Sequence, residues 1–82
     1  MELFLGIHKL PDGFSDADAV KGFEEYKGSA KAKGLRPISA VYSLEKGFAH
    51  CLTEAPSAQE VKDAHSSVNI PLEDVVEIKQ IN

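Results

Sequence analysis

The stretch ISAVYSLEKGFAHCLT, residues 38–53, decides the fold. Ile38, Ala40, Tyr42 and Leu44 alternate with Ser39, Val41 and Ser43, which is the period of a strand. Glu45-Lys46-Gly47 reads as a tight turn, and Phe48 to Thr53 resumes as a second extended run. Two strands this close in sequence pair as an antiparallel hairpin. Whatever flanks the hairpin must pack on it or extend it.

Downstream, Pro56 ends the hairpin, and Ser57-Ala58-Gln59-Glu60 reads as a full capping box, the strongest local signal in the chain. The helix it opens carries Val61, Ala64, His65 and Val68 on one side, and Asn69 is placed to end it in the left-handed conformation. Ile70-Pro71 is extended, and Val75 to Ile81 forms a last strand. Upstream, Leu3 to His8 alternates as a first strand, with Leu3, Leu5 and Ile7 on one face and Phe4, Gly6 and His8 on the other. Pro11-Asp12-Gly13 stops it. Ser15 and Asp18 form a pattern like a capping box before a helix whose apolar residues are Ala19, Val20, Phe23, Tyr26 and Ala30. Gly34 supplies its C-terminal stop. Gly22 and Gly28 weaken this helix by about 1 kcal/mol each relative to alanine, and are read as points of close packing against the sheet.

The order is β-α-β-β-α-β, an α+β fold with one four-stranded antiparallel sheet. Right-handed crossovers place both helices on one face of it. If Leu3, Leu5 and Ile7 meet the helices, Phe4 lies on the other, uncovered face. An uncovered apolar face predicts a homodimer packed sheet to sheet.

Composition bounds the rest. Eighty-two residues, 1–82, make one domain. A net charge of −4 speaks against nucleic acid as a partner. No stretch approaches the roughly 20 apolar residues of a membrane span, and Met1-Glu2-Leu3-Phe4-Leu5-Gly6 lacks the charged start of a signal peptide. The one cysteine, Cys51, cannot bridge within the chain, and a free thiol fits a reducing, cytoplasmic compartment.

Catalytic triads, phosphate-binding loops, dinucleotide fingerprints and paired cysteines are all absent. What remains is His8, His50, Cys51 and His65. His50 and Cys51 are neighbours on one strand, so they point to opposite faces. In a βαββαβ sheet the first and third strands are adjacent, so one of that pair can approach His8. Imidazole and thiolate suit zinc, nickel or copper. Glu54, two residues beyond Leu52 on the same face as His50, could orient a histidine or complete a metal shell. Each residue also has a plainer reading. Isolated histidines are usually surface or hydrogen-bonded residues, a free cysteine is usually a small core residue, and a carboxylate near a helix start is favoured by the dipole. A rival of another class is a cofactor-independent enzyme, an oxygenase or isomerase, with a pocket between sheet and helices. There His8 or His65 would be a general base, and Tyr42 or Cys51 would help bind a small apolar substrate.

Cys51-Leu52-Thr53-Glu54-Ala55-Pro56, then Ser57-Ala58-Gln59-Glu60-Val61, then His65 and Ile70-Pro71, resembles the pattern of a family of small bacterial and archaeal proteins. That family runs Cys-Leu-x-Glu-Ala-Pro-x-Ala-x-x-Val, then a histidine, Gly-Leu-Pro and a valine-rich strand. The resemblance covers the whole chain. It implies a ferredoxin-like, dimeric fold and, since some members are described as nickel-binding, a nickel site. By position it implies metal ligands at His8, Cys51, Glu54 and His65. Two departures stand out. Asn69 replaces the usual glycine, and Gly6 stands where an acidic or polar residue is expected. His50 falls where the family tends to have an aromatic, which sets it outside the ligand set.

Overall fold

The computed structural model describes residues Met1–Asn82. Its elements follow the expected order: β1 (Glu2–Lys9), α1 (Asp16–Ala32), β2 (Arg36–Ser43), β3 (Phe48–Ala55), α2 (Ala58–Ser66) and β4 (Asp74–Ile78). The strands form one sheet in the order β2-β3-β1-β4, antiparallel throughout. Both helices pack on the same face in the ferredoxin-like arrangement.

The hairpin forms as its alternation predicts, with one irregularity. Pro37 stands opposite Thr53 and Ser39 opposite Leu52, so Ile38 is an extra residue in β2. Proline has no N–H to give the ladder, and a bulge beside it accommodates that. Beyond the bulge, Ala40 and Tyr42 pair with Cys51 and Ala49 on the helix side. Ile38 falls at the bulge and Leu44 beyond the end of β2, and all four residues read as one face are exposed.

The face of β1 that meets the helices is the reverse of the expected one. Phe4 is 5% exposed and belongs to the core, together with Tyr26, Ala30, Cys51, Ala55, Val61 and Ala64. Leu3, Leu5 and Ile7 lie half-buried on the open face. There Leu5 sits between Leu52 and Val76, and Leu3 beside Ile78. Three aliphatic residues at period two look like a core face. Here they form an apolar stripe on an uncovered one, while the helix side uses small residues, Gly6 and Cys51, to admit the large rings of Tyr26 and His65.

The helix ends also depart from expectation. At α1, Ser15 Oγ accepts from the Asp18 N–H at 3.1 Å and Asp18 Oδ2 accepts from the Ser15 N–H at 2.9 Å, a complete capping box. At α2, the stronger sequence pattern forms no box. Ser57 caps no N–H with its side chain, and Glu60 Oε2 is out of solvent without a partner. This short helix is held by burying Val61, Ala64 and His65 instead. Its C-terminus behaves as expected. Asn69 has φ 58°, its N–H donates to Ser66 O at 3.1 Å, and the Ile70 N–H donates to His65 O at 3.0 Å, the paired bonds of a Schellman motif. Gly34 ends α1 in the same way at φ 78°.

The two helical glycines do not mark close packing. A Cβ placed at Gly22 or Gly28 meets nothing within 4 Å. Nothing in the structure explains Gly28.

Candidate metal centre

Three elements bring three donors together. His8 stands near the end of β1, Cys51 near the middle of β3, and His65 in the last turn of α2. Because β1 and β3 are neighbours, and Cys51 rather than His50 shares the helix-facing side, His8 and Cys51 meet. The buried stripe of α2 then lowers His65 onto both. Cys51 Sγ is 3.3 Å from His65 Nε2 and 3.6 Å from His8 Nε2. The three donor atoms all lie within 4.8 Å of one another.

The outer nitrogens are pinned. His8 Nδ1 is 2.9 Å from Pro71 O, and His65 Nδ1 is 2.8 Å from Val61 O. A carbonyl oxygen can only accept, so each Nδ1 carries the proton and each Nε2 presents a lone pair to the cluster. The Ile70-Pro71 step after the Asn69 stop thus acts directly on the site, because its carbonyl sets the tautomer of His8. Two lone pairs face one thiol, which has a single proton. One lone pair is therefore left without a donor, which suits an incoming cation.

Burial sets the charge states. Desolvation lowers the pKa of His8 below 6.5, against the opposing pull of its Pro71 hydrogen bond. It brings His65 down to about 4, again against a backbone bond, to Val61. It pushes the Cys51 thiol up to about 11. At neutral pH without an ion, the cluster is two neutral imidazoles and a protonated thiol.

Two further residues shape the site. The ring of Tyr26 stacks on His65, centroids 3.9 Å apart, while His8 lies 5.0 Å away on a tilted plane. The Tyr26 hydroxyl is fixed by Thr53 Oγ1. Gly6, directly opposite Cys51 in the ladder, makes the room: a Cβ there would stand 2.6 Å from Sγ, 3.3 Å from Leu72 and 3.5 Å from the His65 ring. Neither role was legible in the sequence. Tyr26 read as one more apolar helix position, and Gly6 as the loss of a polar group.

Glu54 lies apart. It is on the open face, and its carboxylate pairs with Arg36 at 3.0 Å. His50 is on that face too, its ring tilted against that of Phe48 with centroids 4.9 Å apart.

The donor set fits a borderline divalent ion. Metal–nitrogen and metal–sulfur bonds of about 2.0 and 2.3 Å, meeting at a tetrahedral angle, place N and S about 3.5 Å apart. The observed separations of 3.3 and 3.6 Å straddle that value. Beside the cluster, a cleft of about 260 Å³ runs between α1 and the sheet, and all three donors line it.

Comparison with known proteins agrees with this architecture. The crystal structure of SCO4226 from Streptomyces coelicolor A3(2) superposes with a TM-score of 0.87 at 19% identity, covering 98% of this chain and 99% of that one. At that identity the likeness establishes the fold. None of the curated protein sequences matches the chain. Residues 4–78 match the family described as nickel responsive protein, SCO4226-like. With that match spanning nearly the whole sequence, the chain belongs to the SCO4226-like family of nickel-responsive proteins.

Proposed function

We propose that this protein binds nickel or a similar borderline transition metal, as a homodimer and without catalysing a reaction. The observation that carries the proposal is the pair of oriented Nε2 lone pairs converging on one thiol. His8 Nε2, His65 Nε2 and Cys51 Sγ are the ligands. Glu54, expected beside them, is left out because it is engaged with Arg36 on the opposite face. The ion displaces the thiol proton and holds a thiolate. The Nδ1–H···O=C bonds keep both rings in register and raise their basicity. Nickel is preferred over zinc or copper because of the family's description, since the donor set alone suits all three. A thiolate ligand requires a reducing compartment, which supports a cytoplasmic location. The dimer is supported by the apolar stripe on the open face, Leu3, Leu5, Leu52, Val76 and Ile78, continued by the exposed Val41 of β2.

The cleft lends support to the enzymatic rival, with His8, one of its lining residues, as a base. The two readings separate in one experiment. Calorimetric titration with nickel at pH 7.5 is expected to give one site per chain in the wild type. His8→Ala should weaken it by about 10–100-fold or more, while His50→Ala leaves it unchanged. Equal and weak binding by wild type and His8→Ala would remove the metal reading.

A further inference from the structure

The cleft beside the cluster has features that metal binding alone does not use. It is walled by Phe14, Phe23, Tyr26 and Ile70, and Cys51 and His65, 3% and 1% exposed, close its inner end. Its volume of about 260 Å³ is just below the range usual for drug-sized ligands, roughly 300–1,000 Å³, so it suits a small molecule. Gly22 forms part of its wall. A glycine inside a helix costs about 1 kcal/mol relative to alanine, and no neighbour forbids a side chain at this one. What its missing side chain does is leave the cleft open.

We infer that this cleft binds a small apolar monocarboxylate, its hydrocarbon body against Phe14, Phe23 and Ile70 and its carboxylate completing the coordination of the ion held by His8, Cys51 and His65. The inference rests on the metal reading above. Three protein ligands leave a borderline ion short of the four or more it takes, and such sites keep that position for water or an exogenous ligand. A divalent ion with one thiolate and two neutral imidazoles has a net charge of +1. At the buried end of the cleft, where Cys51 and His65 lie, an anionic head group neutralises that charge, and an apolar tail fits the walls that Phe14, Phe23 and Ile70 provide.

Phenylacetate is a suitable probe, with acetate as the same head group lacking the body. In calorimetry, and in the nickel–thiolate absorption band, the nickel-loaded protein should bind phenylacetate, and the metal-free protein should bind it at least about tenfold more weakly. Gly22→Leu fills the cleft from a helix position that welcomes a larger residue. It should weaken phenylacetate by at least about tenfold while leaving nickel binding and the weak acetate response unchanged. Gly22→Ala, which adds only a methyl group, should fall between. A chain that takes up nickel but ignores phenylacetate, or a Gly22→Leu variant that binds it as wild type does, overturns this inference alone. A chain that takes up no nickel overturns the metal reading and this inference together.

Discussion

Gly6→Ala tests the site through a residue that touches no ion. The added methyl would stand 2.6 Å from Cys51 Sγ, so the sulfur, or the strand carrying it, must retreat by roughly 0.8 Å to reach ordinary contact. It has little freedom to do so. Cys51 is 3% exposed, its sulfur is wedged between two imidazole nitrogens, and Leu72 and the His65 ring already crowd the same space at 3.3 and 3.5 Å. Overpacking a filled core costs about 1–3 kcal/mol. Replacing glycine by alanine within a strand returns about 0.5–1 kcal/mol. From the middle of each range the net loss is about 1.3 kcal/mol, and at about 4–8 °C per kcal/mol for a domain of this size the melting temperature should fall by roughly 5–10 °C. The effect on metal should be proportionally larger. Displacing one of three donors by a good fraction of an ångström should lower nickel affinity by about 10–100-fold, as losing a supporting contact of a metal ligand does. Differential scanning calorimetry and nickel titration on the same preparations measure both. Gly22→Ala is the control. It lies in open space and should stabilise by about 1 kcal/mol with nickel affinity unaltered. A Gly6→Ala protein that melts with the wild type and binds nickel equally well would refute the placement of Cys51 against Gly6, and with it the assembled cluster.

Proton release gives a second check: with the thiol at about 11 and His65 at about 4, each ion bound at pH 7.5 should release close to one proton, from Cys51, so affinity rises with pH through the neutral range. Calorimetry in buffers of different ionisation heat would show it, and release of none would mean that the sulfur is not a ligand. For the metal-free protein the sign follows from the histidines. His65 binds its proton less readily folded than unfolded, so stability is full above about pH 6.5 and declines as pH falls towards 4, by up to about 3 kcal/mol, with His8 adding in the same direction; urea titrations at pH 7 and 5 measure this, and equal stabilities would contradict the burial of His65. Ser15→Ala should cost about 1 kcal/mol and Ser57→Ala less than about 0.5 kcal/mol, reversing the order that the sequence patterns suggest, as thermal melts would reveal. In analytical ultracentrifugation the wild type should sediment as a homodimer and Leu5→Lys, on the open face, as a folded monomer; a wild-type monomer at micromolar concentration would remove the sheet-to-sheet dimer.

The element order, the hairpin, the Asn69 and Gly34 stops and the adjacency of the first and third strands were all legible along the chain, because turn residues, capping chemistry and period are local properties. The chain also put one of His50 and Cys51 within reach of His8, and the family resemblance implied Cys51 and His65 as its partners; that Cys51, not His50, shares the side of His8 was decided by the register of β1 against β3. Which side of β1 the helices cover depended on packing between elements. Both faces of that strand are apolar, and the choice went to the one whose small residues, Gly6 and Cys51, leave volume for Tyr26 and His65. The fate of Glu54 was likewise a matter of neighbours: period two placed it with His50, but only the pairing of β2 with β3 brought Arg36 to it. The Ser57 pattern failed for a related reason. A cap contributes about 1 kcal/mol, and burial of Val61, Ala64 and His65 holds the helix without it. The tautomers of both histidines, on which the candidate site depends, rest on carbonyls of Pro71 and Val61. The one that orients His8 lies 63 residues away along the chain, a distance over which no local pattern speaks.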